Sequence, residues 1–334
     1  MSSPSQPVRR LRFILNTFYS GPQAWFFLAD DLGFFRDEGL EIEFTEGDTL
    51  ANAVPRIASG EFDCGYGDIN ALIELAAVSA TGQVPLRAVY ATFSASPYTL
   101  AVPAAGPIRT PTDLAGALIG SHPSDAAWRL WPEFVAHTGV DTRQVRIEES
   151  SLPHSQMIVQ MLDASRWQAM FGFVNTLKAA AIEAGRDPDR DLRFLEYRDV
   201  VPDLYGAELM VSASLLRDEP QVVVALTRAV NRGVAQVLDG VGGLDAAIDA
   251  VARRNPAIDR AANRARLTGT LALEMAHPDA LRHGIGDLDD DRLKRSIDLI
   301  VRAKNHPRTP SIHEVFDRRF LPPRADRPQP IQSP

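Results

Sequence analysis

Residues 60–78 read GEFDCGYGDINALIELAAV, and this stretch decides the fold. Residues 62–66 form a short apolar run typical of a buried strand, and residues 70–78 form an apolar run typical of a helix. A strand that passes directly into a helix is the repeating unit of α/β proteins with parallel sheets. In open parallel sheets, ligands bind beyond the carboxyl ends of the strands. We therefore expect the junction, with Tyr66, Asp68 and Asn70, to face a ligand.

Strand and helix patterns alternate on both sides of this junction. Alternating or continuous apolar runs predict further strands, and Gly33 ends an apolar helix between the first two of them. The predicted strands lie at 11–16, 40–44, 86–93, 117–121, 145–150, 168–173, 192–197 and 207–212. This order predicts two α/β units, each with a mainly parallel sheet flanked by helices. Residues 219–302 are predicted to be helical, with Val222, Leu226, Val230 and Val234 on one face.

The order of the elements also predicts how the chain is divided. The apolar runs SPYTLAVPA and LYGAELMVS flank the second unit and are typical of strands that cross between two domains. We expect a discontinuous first lobe of residues 11–103 and 205–322, with residues 104–204 inserted as a second lobe. Residues 1–10 and 323–334 are rich in Pro, Ser and Gln, which predicts a disordered N-terminus and a disordered tail.

Composition excludes several classes of function. The 334 residues carry a net charge of −8, and no run of Lys and Arg supplies the basic surface that nucleic acid requires. The single cysteine, Cys64, excludes an internal disulfide and a cysteine-based zinc site. No common nucleophile, nucleotide or metal motif is present, so we expect no catalytic residue, no cofactor and no metal.

The N-terminal segment leaves the compartment open. Its apolar stretch is short and interrupted by polar residues, so it does not make a good signal peptide. No other stretch approaches the apolar length of a membrane span.

The carboxyl ends of the predicted strands select the candidate ligand-binding residues. They hold aromatic rings that stack on a flat molecule, and amides, carboxylates and hydroxyls that bind its polar edge. The candidates are Asn16, Tyr19, Asp48, Tyr66, Asp68, Asn70, Ser94, Ser124, Asp125 and Phe173. Each has a purely structural alternative: Asp68 and Ser124 also suit helix caps, Tyr66 suits the core, and Asp48 suits a turn.

The charge of these loops bears on the ligand. Asp48, Asp68 and Asp125 lie in them, while the nearest candidate base is Arg129. A sulfonate or nitrate prefers more cationic partners. The sequence therefore favours a small, neutral or amine-bearing heterocycle, of which an aminopyrimidine is one example.

Three motifs resemble a known family. Residues 29–40 match the pattern A-x-x-L-G-F-F-x-x-E-G-L, residues 54–65 match V-x-x-I-A-S-G-x-x-D-x-G, and residues 111–120 are similar to P-x-D-L-x-G-K-x-I-G. In this order and spacing the chain resembles solute-binding proteins of ABC transporters, in the group that binds taurine, alkanesulfonates and thiamine-pyrimidine precursors. The resemblance continues to residues 296–322.

The resemblance implies a fold and a function. It implies the two-lobed type II periplasmic-binding-protein fold, which closes on its ligand by a hinge. It also implies a monomeric, periplasmic protein that delivers a small polar solute to the membrane permease of an ABC importer. A cytoplasmic location is the alternative, because a signal peptide is not visible.

The chain departs from the family pattern at two places, which leaves other functions open. Many relatives carry a Trp two residues after the first strand's Asp or Asn, where this chain has Asn16-Thr17-Phe18. They also have V-D-A where this chain has Trp167-Gln168-Ala169.

The alternative function is a cleft enzyme like the thiamine-pyrimidine synthases. It would consume a pyridoxal-phosphate-like substrate with the help of iron, and His122 and His154 lie in predicted cleft loops. A cytoplasmic ligand-sensing module is a third possibility, which requires a DNA-binding or signalling domain that the sequence does not encode.

Overall fold

Two five-stranded sheets organise the computed structural model, which describes residues 8–47, 52–123, 125–240 and 242–331. The first sheet has the strand order β2-β1-β3-β10-β4, and the second has the order β7-β6-β8-β5-β9. The strands are β1 Arg9–Ile14, β2 Leu40–Thr45, β3 Cys64–Asp68, β4 Leu86–Ala91, β5 Tyr98–Pro103, β6 Leu118–Ser121, β7 Arg146–Glu149, β8 Ala169–Phe173, β9 Leu192–Glu196 and β10 Ala207–Ser212.

Helices follow most strands and form the end of the chain. The α-helices are α1 Ala24–Asp31, α2 Phe34–Asp37, α3 Ala53–Ala58, α4 Ile69–Val78, α5 Ala126–Arg129, α6 Trp131–Thr138, α7 His154–Asp163, α8 Val174–Glu183, α9 Pro188–Asp191, α10 Tyr197–Val200, α11 Ala213–Asp218, α12 Pro220–Leu238, α13 Gly243–Arg254, α14 Arg260–Ala272, α15 Pro278–His283, α16 Asp290–Ala303 and α17 Ile312–Val315. Short 3₁₀ turns lie at Gly21–Gln23, Pro111–Leu114, Thr142–Gln144, Arg318–Phe320 and Arg324–Asp326.

The pairing within the sheets confirms the predicted fold class. In the first sheet β1 runs parallel to β2 and β3, and only β10 runs antiparallel to its neighbours. In the second sheet β6 runs parallel to β7 and β8, while β5 runs antiparallel to β8 and β9. The helical C-terminal segment is confirmed as well. The face of α12 that carries Val222, Leu226, Val230 and Val234 is buried, because the helix packs on α1.

The chain passes between the sheets twice. Residues 92–97, called here the first connection, join β4 of the first sheet to β5 of the second. Residues 201–206, the second connection, lead from α10 to β10 of the first sheet. The predicted lobe boundary after residue 103 stays a prediction, but β5 already pairs with β8 and β9, so its residues lie in the second sheet.

The described parts of both termini have defined contacts, which differs from their predicted disorder. β1 begins at Arg9, whose side chain pairs with Glu219 at 2.8 Å. Near the other end, Arg327 pairs with Asp287 at 2.7 Å, and the Pro328 carbonyl accepts a hydrogen bond from the Ile285 amide. A proline-rich composition disfavours regular helices and strands, but it does not prevent side chains from fixing an irregular segment to the surface.

An aromatic cluster fills the core beneath the first sheet. The Tyr66 ring lies edge-on to Trp25 and Phe26, with centroid distances of 6.1 and 5.1 Å. Phe13 packs on Phe26 at 5.0 Å, and all four side chains are fully buried. This packing fixes the end of β3, where the candidate site begins.

Candidate functional site

Asp68 ends β3 and caps helix α4. Its Oδ1 accepts hydrogen bonds from the Asn70 backbone amide at 3.0 Å, from Asn70 Nδ2 at 2.8 Å and from the Tyr98 hydroxyl at 2.9 Å. Burial raises the pKa of Asp68 to about 6, although these hydrogen bonds act in the opposite direction. The predicted capping role is therefore present, and the same oxygen also contacts a strand of the second sheet.

Asn70 extends this contact between the sheets. Its side-chain Nδ2 also donates to the Tyr98 hydroxyl at 3.0 Å and to the backbone carbonyl of Tyr205 at 2.9 Å. Asn70 is fully buried, and its Oδ1 has no hydrogen-bond partner in the described part of the chain. A buried carbonyl oxygen without a donor costs about 1–3 kcal/mol, so Asn70 is held here at a cost in stability.

Two buried carboxylates that were not among the sequence candidates complete the group. Glu208 lies in β10, and its Oε2 accepts from the Thr92 amide at 2.8 Å while Oε1 has no partner among the described residues. Glu274 follows α14 and accepts from Nδ2 of Asn175 at 2.7 and 2.8 Å. Both are buried. The signal for Glu208 was a charged residue inside the apolar run AELMVS, whereas the helical pattern around Glu274 gave no signal.

Burial also changes how these acids ionise. Burial raises the pKa of Glu274 to about 7. Burial likewise raises the pKa of Glu208 far above its usual range, and the charge of Asp68 adds to the rise. We call Asp68, Asn70, Tyr98, Glu208 and Glu274 the central polar cluster. It combines three buried carboxyl groups with a hydrogen bond from Tyr98 of the second sheet to Asp68 of the first.

The first connection carries two further buried hydroxyl groups. Ser94 and Ser96 are buried, and neither Oγ has a partner within the described residues. Ser94 was predicted from the sequence and Ser96 was not, although it lies two residues further along the same segment.

Tyr66 and Phe173 present their rings differently. The Tyr66 ring is enclosed by core side chains, and only its hydroxyl reaches a polar neighbour, Thr92 Oγ1 at 2.6 Å. Phe173 at the end of β8 is half-buried and lies edge-on to Tyr98, with 5.4 Å between ring centroids. Phe173 is thus the less buried ring of the two, and it contacts Tyr98 of the central polar cluster.

Asn16 and Tyr19 form hydrogen bonds with residues near the first strand. Oδ1 of the buried Asn16 accepts from Gln23 Nε2. The Tyr19 hydroxyl donates to the Phe44 carbonyl at 3.3 Å, and the Tyr19 amide donates to Glu46 at 2.7 Å. The structure therefore does not bring these two candidates into hydrogen-bond contact with the central polar cluster.

Three sequence candidates remain: Asp125, Asp48 and Ser124. Asp125 caps α5 through the Ala127 amide at 2.7 Å, and burial raises its pKa to about 6. Asp48 and Ser124 lie outside the described residues.

Two histidines lie together at the edge of the second sheet. The rings of His122 and His154 are 4.3 Å apart, and burial, followed by the neighbouring His122 and Arg266, lowers the pKa of His154 to about 3. Both rings are therefore neutral near pH 7. Within the ranges the structure describes, no group of three or more His, Cys, Asp or Glu side chains is placed to hold a metal ion.

The lone cysteine has the buried position expected of a small apolar residue. Cys64 lies in β3 and is fully buried, and burial raises the pKa of its thiol. A thiol of this kind is a poor nucleophile because little thiolate forms.

Sequence comparison identifies the family. A family model described as NMT1/THI5 like matches residues 23–240, which is more than half of the chain. The chain belongs to the NMT1/THI5-like family. A comparison with curated proteins found no match.

Solved structures place this NMT1/THI5-like chain in the periplasmic-binding-protein fold. The alkanesulfonate-binding protein SsuA from Xanthomonas axonopodis, bound to MOPS, is 16% identical with a TM-score of 0.66, covering 95% of this chain and 100% of that one. A Candida albicans protein described as having the generic periplasmic binding protein fold is 14% identical with a TM-score of 0.64, covering 98% and 99%. A mutant of DszB in complex with biphenyl-2-sulfinic acid is 15% identical with a TM-score of 0.59, covering 94% and 98%.

The helices of this family member were also searched for membrane spans. Among the residues that the structure describes, none of the helices combines the length and the apolar character that crossing a membrane requires.

Proposed function

We propose that the chain is the solute-binding component of an ABC importer and holds a small polar solute between its two sheets. The observation that carries the proposal is the central polar cluster, in which residues of both sheets meet and some buried polar atoms have no partner among the described residues. Membership of the NMT1/THI5-like family and the likeness to SsuA support it. Under this proposal the protein is a periplasmic monomer, its partner is the permease of the importer, and no residue is catalytic.

The charges of the cluster favour a ligand that donates hydrogen bonds. Asn70 Oδ1 is an acceptor without a donor in the described ranges, and the Asp68 carboxylate adds a charged acceptor beside it. A neutral or amine-bearing heterocycle such as an aminopyrimidine supplies N–H groups to such atoms. A sulfonate supplies only acceptors, and near pH 7 it would meet the ionised Asp68 carboxylate as a like charge.

Arg266 is the feature that favours an anion instead. It lies in α14, its Nη2 is 3.3 Å from Thr176 Oγ1, and its Nε has no partner in the described ranges. Burial lowers the pKa of Arg266 to about 10, so the side chain remains a cation at neutral pH. A ligand that carries both an amine and an anionic group would use Arg266 and the carboxylates together.

Hinge closure is part of the proposal. In the described chain, the backbone passes between the two sheets only through the first and second connections. Helix α14 of the C-terminal segment packs against α8 of the second unit. We therefore propose lobes of residues 11–97 with 205–322 and of residues 98–204, which refines the boundary predicted after residue 103. Binding would shift the population towards the closed arrangement.

The pair of His122 and His154 favours a second candidate function, a cleft enzyme of the thiamine-pyrimidine synthase type. The two rings are close together and neutral, which suits metal coordination. Iron or pyridoxal phosphate retained by freshly purified protein, detected by metal analysis and absorbance, would favour this enzyme over the binding protein.

A thermal-shift screen followed by calorimetry tests the proposed function. We expect an aminopyrimidine to raise the melting temperature and alkanesulfonates to leave it unchanged. Asp68→Ala should abolish the shift, while Asp141→Ala, which removes an exposed cap of the turn at Thr142–Gln144, should leave it intact. Tight sulfonate binding would contradict the ligand class, and equal binding by Asp68→Ala would contradict the site.

A further inference from the structure

The two connections between the sheets are bonded to each other. The Phe93 amide donates to the Ala207 carbonyl, and the Gly206 amide donates back to the Phe93 carbonyl, both at 3.2 Å. Any rotation of one sheet relative to the other changes backbone dihedral angles in these two segments. Groups that hold the backbone here therefore control how freely the sheets move.

One buried arginine bonds to both connections. Arg292 lies in the first turn of α16 and is 4% exposed. Its Nη1 donates to the Ser94 carbonyl of the first connection at 2.6 Å. Its Nε donates to the Pro202 carbonyl at 3.0 Å and its Nη2 to the Leu204 carbonyl at 2.9 Å, both in the second connection.

The guanidinium is itself fixed by its surroundings. Nη1 pairs with Asp279 Oδ2 at 2.9 Å, and the guanidinium carbon lies 4.0 Å from the centroid of the Tyr205 ring. Although burial opposes it, hydrogen bonds from His277, Arg292 and Arg282 hold the pKa of Asp279 well below its usual range. Asp279 therefore stays ionised, and the buried cation keeps its counter-ion.

The same backbone is bonded to the central polar cluster from the other side. The carbonyl of Tyr205, next to Leu204, accepts from Asn70 Nδ2 at 2.9 Å. The carbonyl of Ser94 is bonded to Arg292, while its buried hydroxyl has no partner among the described residues. Asn70 of the cluster and Arg292 thus bond to adjacent residues of the second connection.

We propose that Arg292 is a positioning residue that holds both connections in one arrangement and so sets the relative orientation of the two sheets. This proposal rests on the proposed hinge closure. A guanidinium is suited to the role because it presents five N–H groups in a rigid plane. A lysine ammonium at the same place has three donors at one point and does not reach three carbonyls in two segments.

Distance measurement between spin labels tests this role without any ligand. Labels are attached at Gln83→Cys in the first lobe and Thr142→Cys in the second, both exposed, and the buried Cys64 is replaced by Ala. We expect Arg292→Gln and the milder Arg292→Lys to broaden and shift the distance distribution of the ligand-free protein. Hydrogen exchange in residues 94–97 and 201–206 should accelerate about tenfold or more, because charged hydrogen bonds to this backbone are lost.

Two control variants separate positioning from ordinary stability. Arg254→Gln removes a little-exposed ion pair with Asp30 and Asp31 away from the connections, so it lowers stability without moving the labels. Arg295→Gln removes an exposed pair with Asp203 of the second connection only. If Arg292→Gln lowers the melting temperature but keeps the wild-type distances and exchange rates, Arg292 is only structural and the proposal fails. Because no ligand is used, this result is independent of whether the proposed solute-binding function holds.

Discussion

Asp68 and Asp125 occupy similar places near the strand ends of the two sheets, yet their surroundings differ. Each caps a helix through the backbone amide two residues later, and burial raises the pKa of each to about 6. Asp68 also accepts from the Tyr98 hydroxyl and the Asn70 side chain, whereas Asp125 accepts from the Ala127 backbone amide of its own helix. Capping is thus a local property of the sequence, and the link between the sheets is added by distant partners.

Asn70→Asp should disrupt the hydrogen bonds around Asp68, and we expect it to cause the largest loss of stability among these variants. The change keeps the shape of the side chain but replaces the donor of three hydrogen bonds by an acceptor, next to the carboxyl group of Asp68. We expect a loss of about 3 kcal/mol or more in unfolding free energy. Denaturant titration at pH 7 measures it.

Asn255→Asp is the matched control for this prediction. The Asn255 side chain uses its oxygen to accept from the Ala257 amide, a role that aspartate retains. The control should therefore change stability by less than about 0.5 kcal/mol. A loss at Asn70 no larger than that of the control would mean that the network around Asp68 contributes little.

The difference between the two aspartates also explains which parts of the site the sequence could predict. Helix capping by Asp68 follows from a carboxylate directly before a helix, and the sequence predicts it as the structural alternative for this residue. The partner Tyr98 lies 30 residues away, and its contact depends on β5 pairing in the second sheet rather than the first. The predicted lobe boundary after residue 103 assigns β5 to the first lobe, so it does not anticipate that Tyr98 belongs to the second sheet.

Glu208 and Glu274 show a second reason for incomplete prediction. Glu208 stands in a strand whose neighbours are apolar, so its burial was readable in principle from the sequence. Glu274 follows a helix of the C-terminal segment and contacts Asn175 from a distance of 99 residues. No local pattern encodes such a contact, because it depends on how α14 packs against α8.

The pH dependence of the unfolding free energy tests how the buried acid Glu274 ionises. Burial raises the pKa of Glu274 from an ordinary 4.5 to about 7. Between these values the folded protein keeps a proton that the unfolded chain has lost, so unfolding free energy falls as pH rises. Glu274→Gln should remove this fall, on the order of 2 kcal/mol, relative to the wild type between pH 4.5 and 7. Urea titrations at several pH values measure the difference.

Glu314→Gln is the control of opposite sign. Although burial opposes it, hydrogen bonds led by that of Arg308 lower the pKa of Glu314 to about 2. This carboxylate therefore stabilises the fold above about pH 4.5, and the contribution is lost as pH falls towards 2. The variant should be less stable than the wild type at pH 7, with the difference shrinking in acid. For the preceding prediction, the contradicting result is a wild-type curve of unfolding free energy against pH that runs parallel to the Glu274→Gln curve, because Glu274 would then ionise normally.

Replacing Asp125 should give the smallest effect, because its side chain is engaged as a cap. Asp125→Ala should lose about 1 kcal/mol, the usual contribution of a capping side chain, and Asp125→Asn should retain most of it because the amide oxygen still accepts from the Ala127 amide. Thermal unfolding of both variants measures this. A much larger loss in Asp125→Asn than in Asp125→Ala would contradict capping as the main role. A ligand-induced thermal shift that disappears in both variants, with stability unchanged, would instead make Asp125 a contact of the solute and bring the second sheet fully into the site.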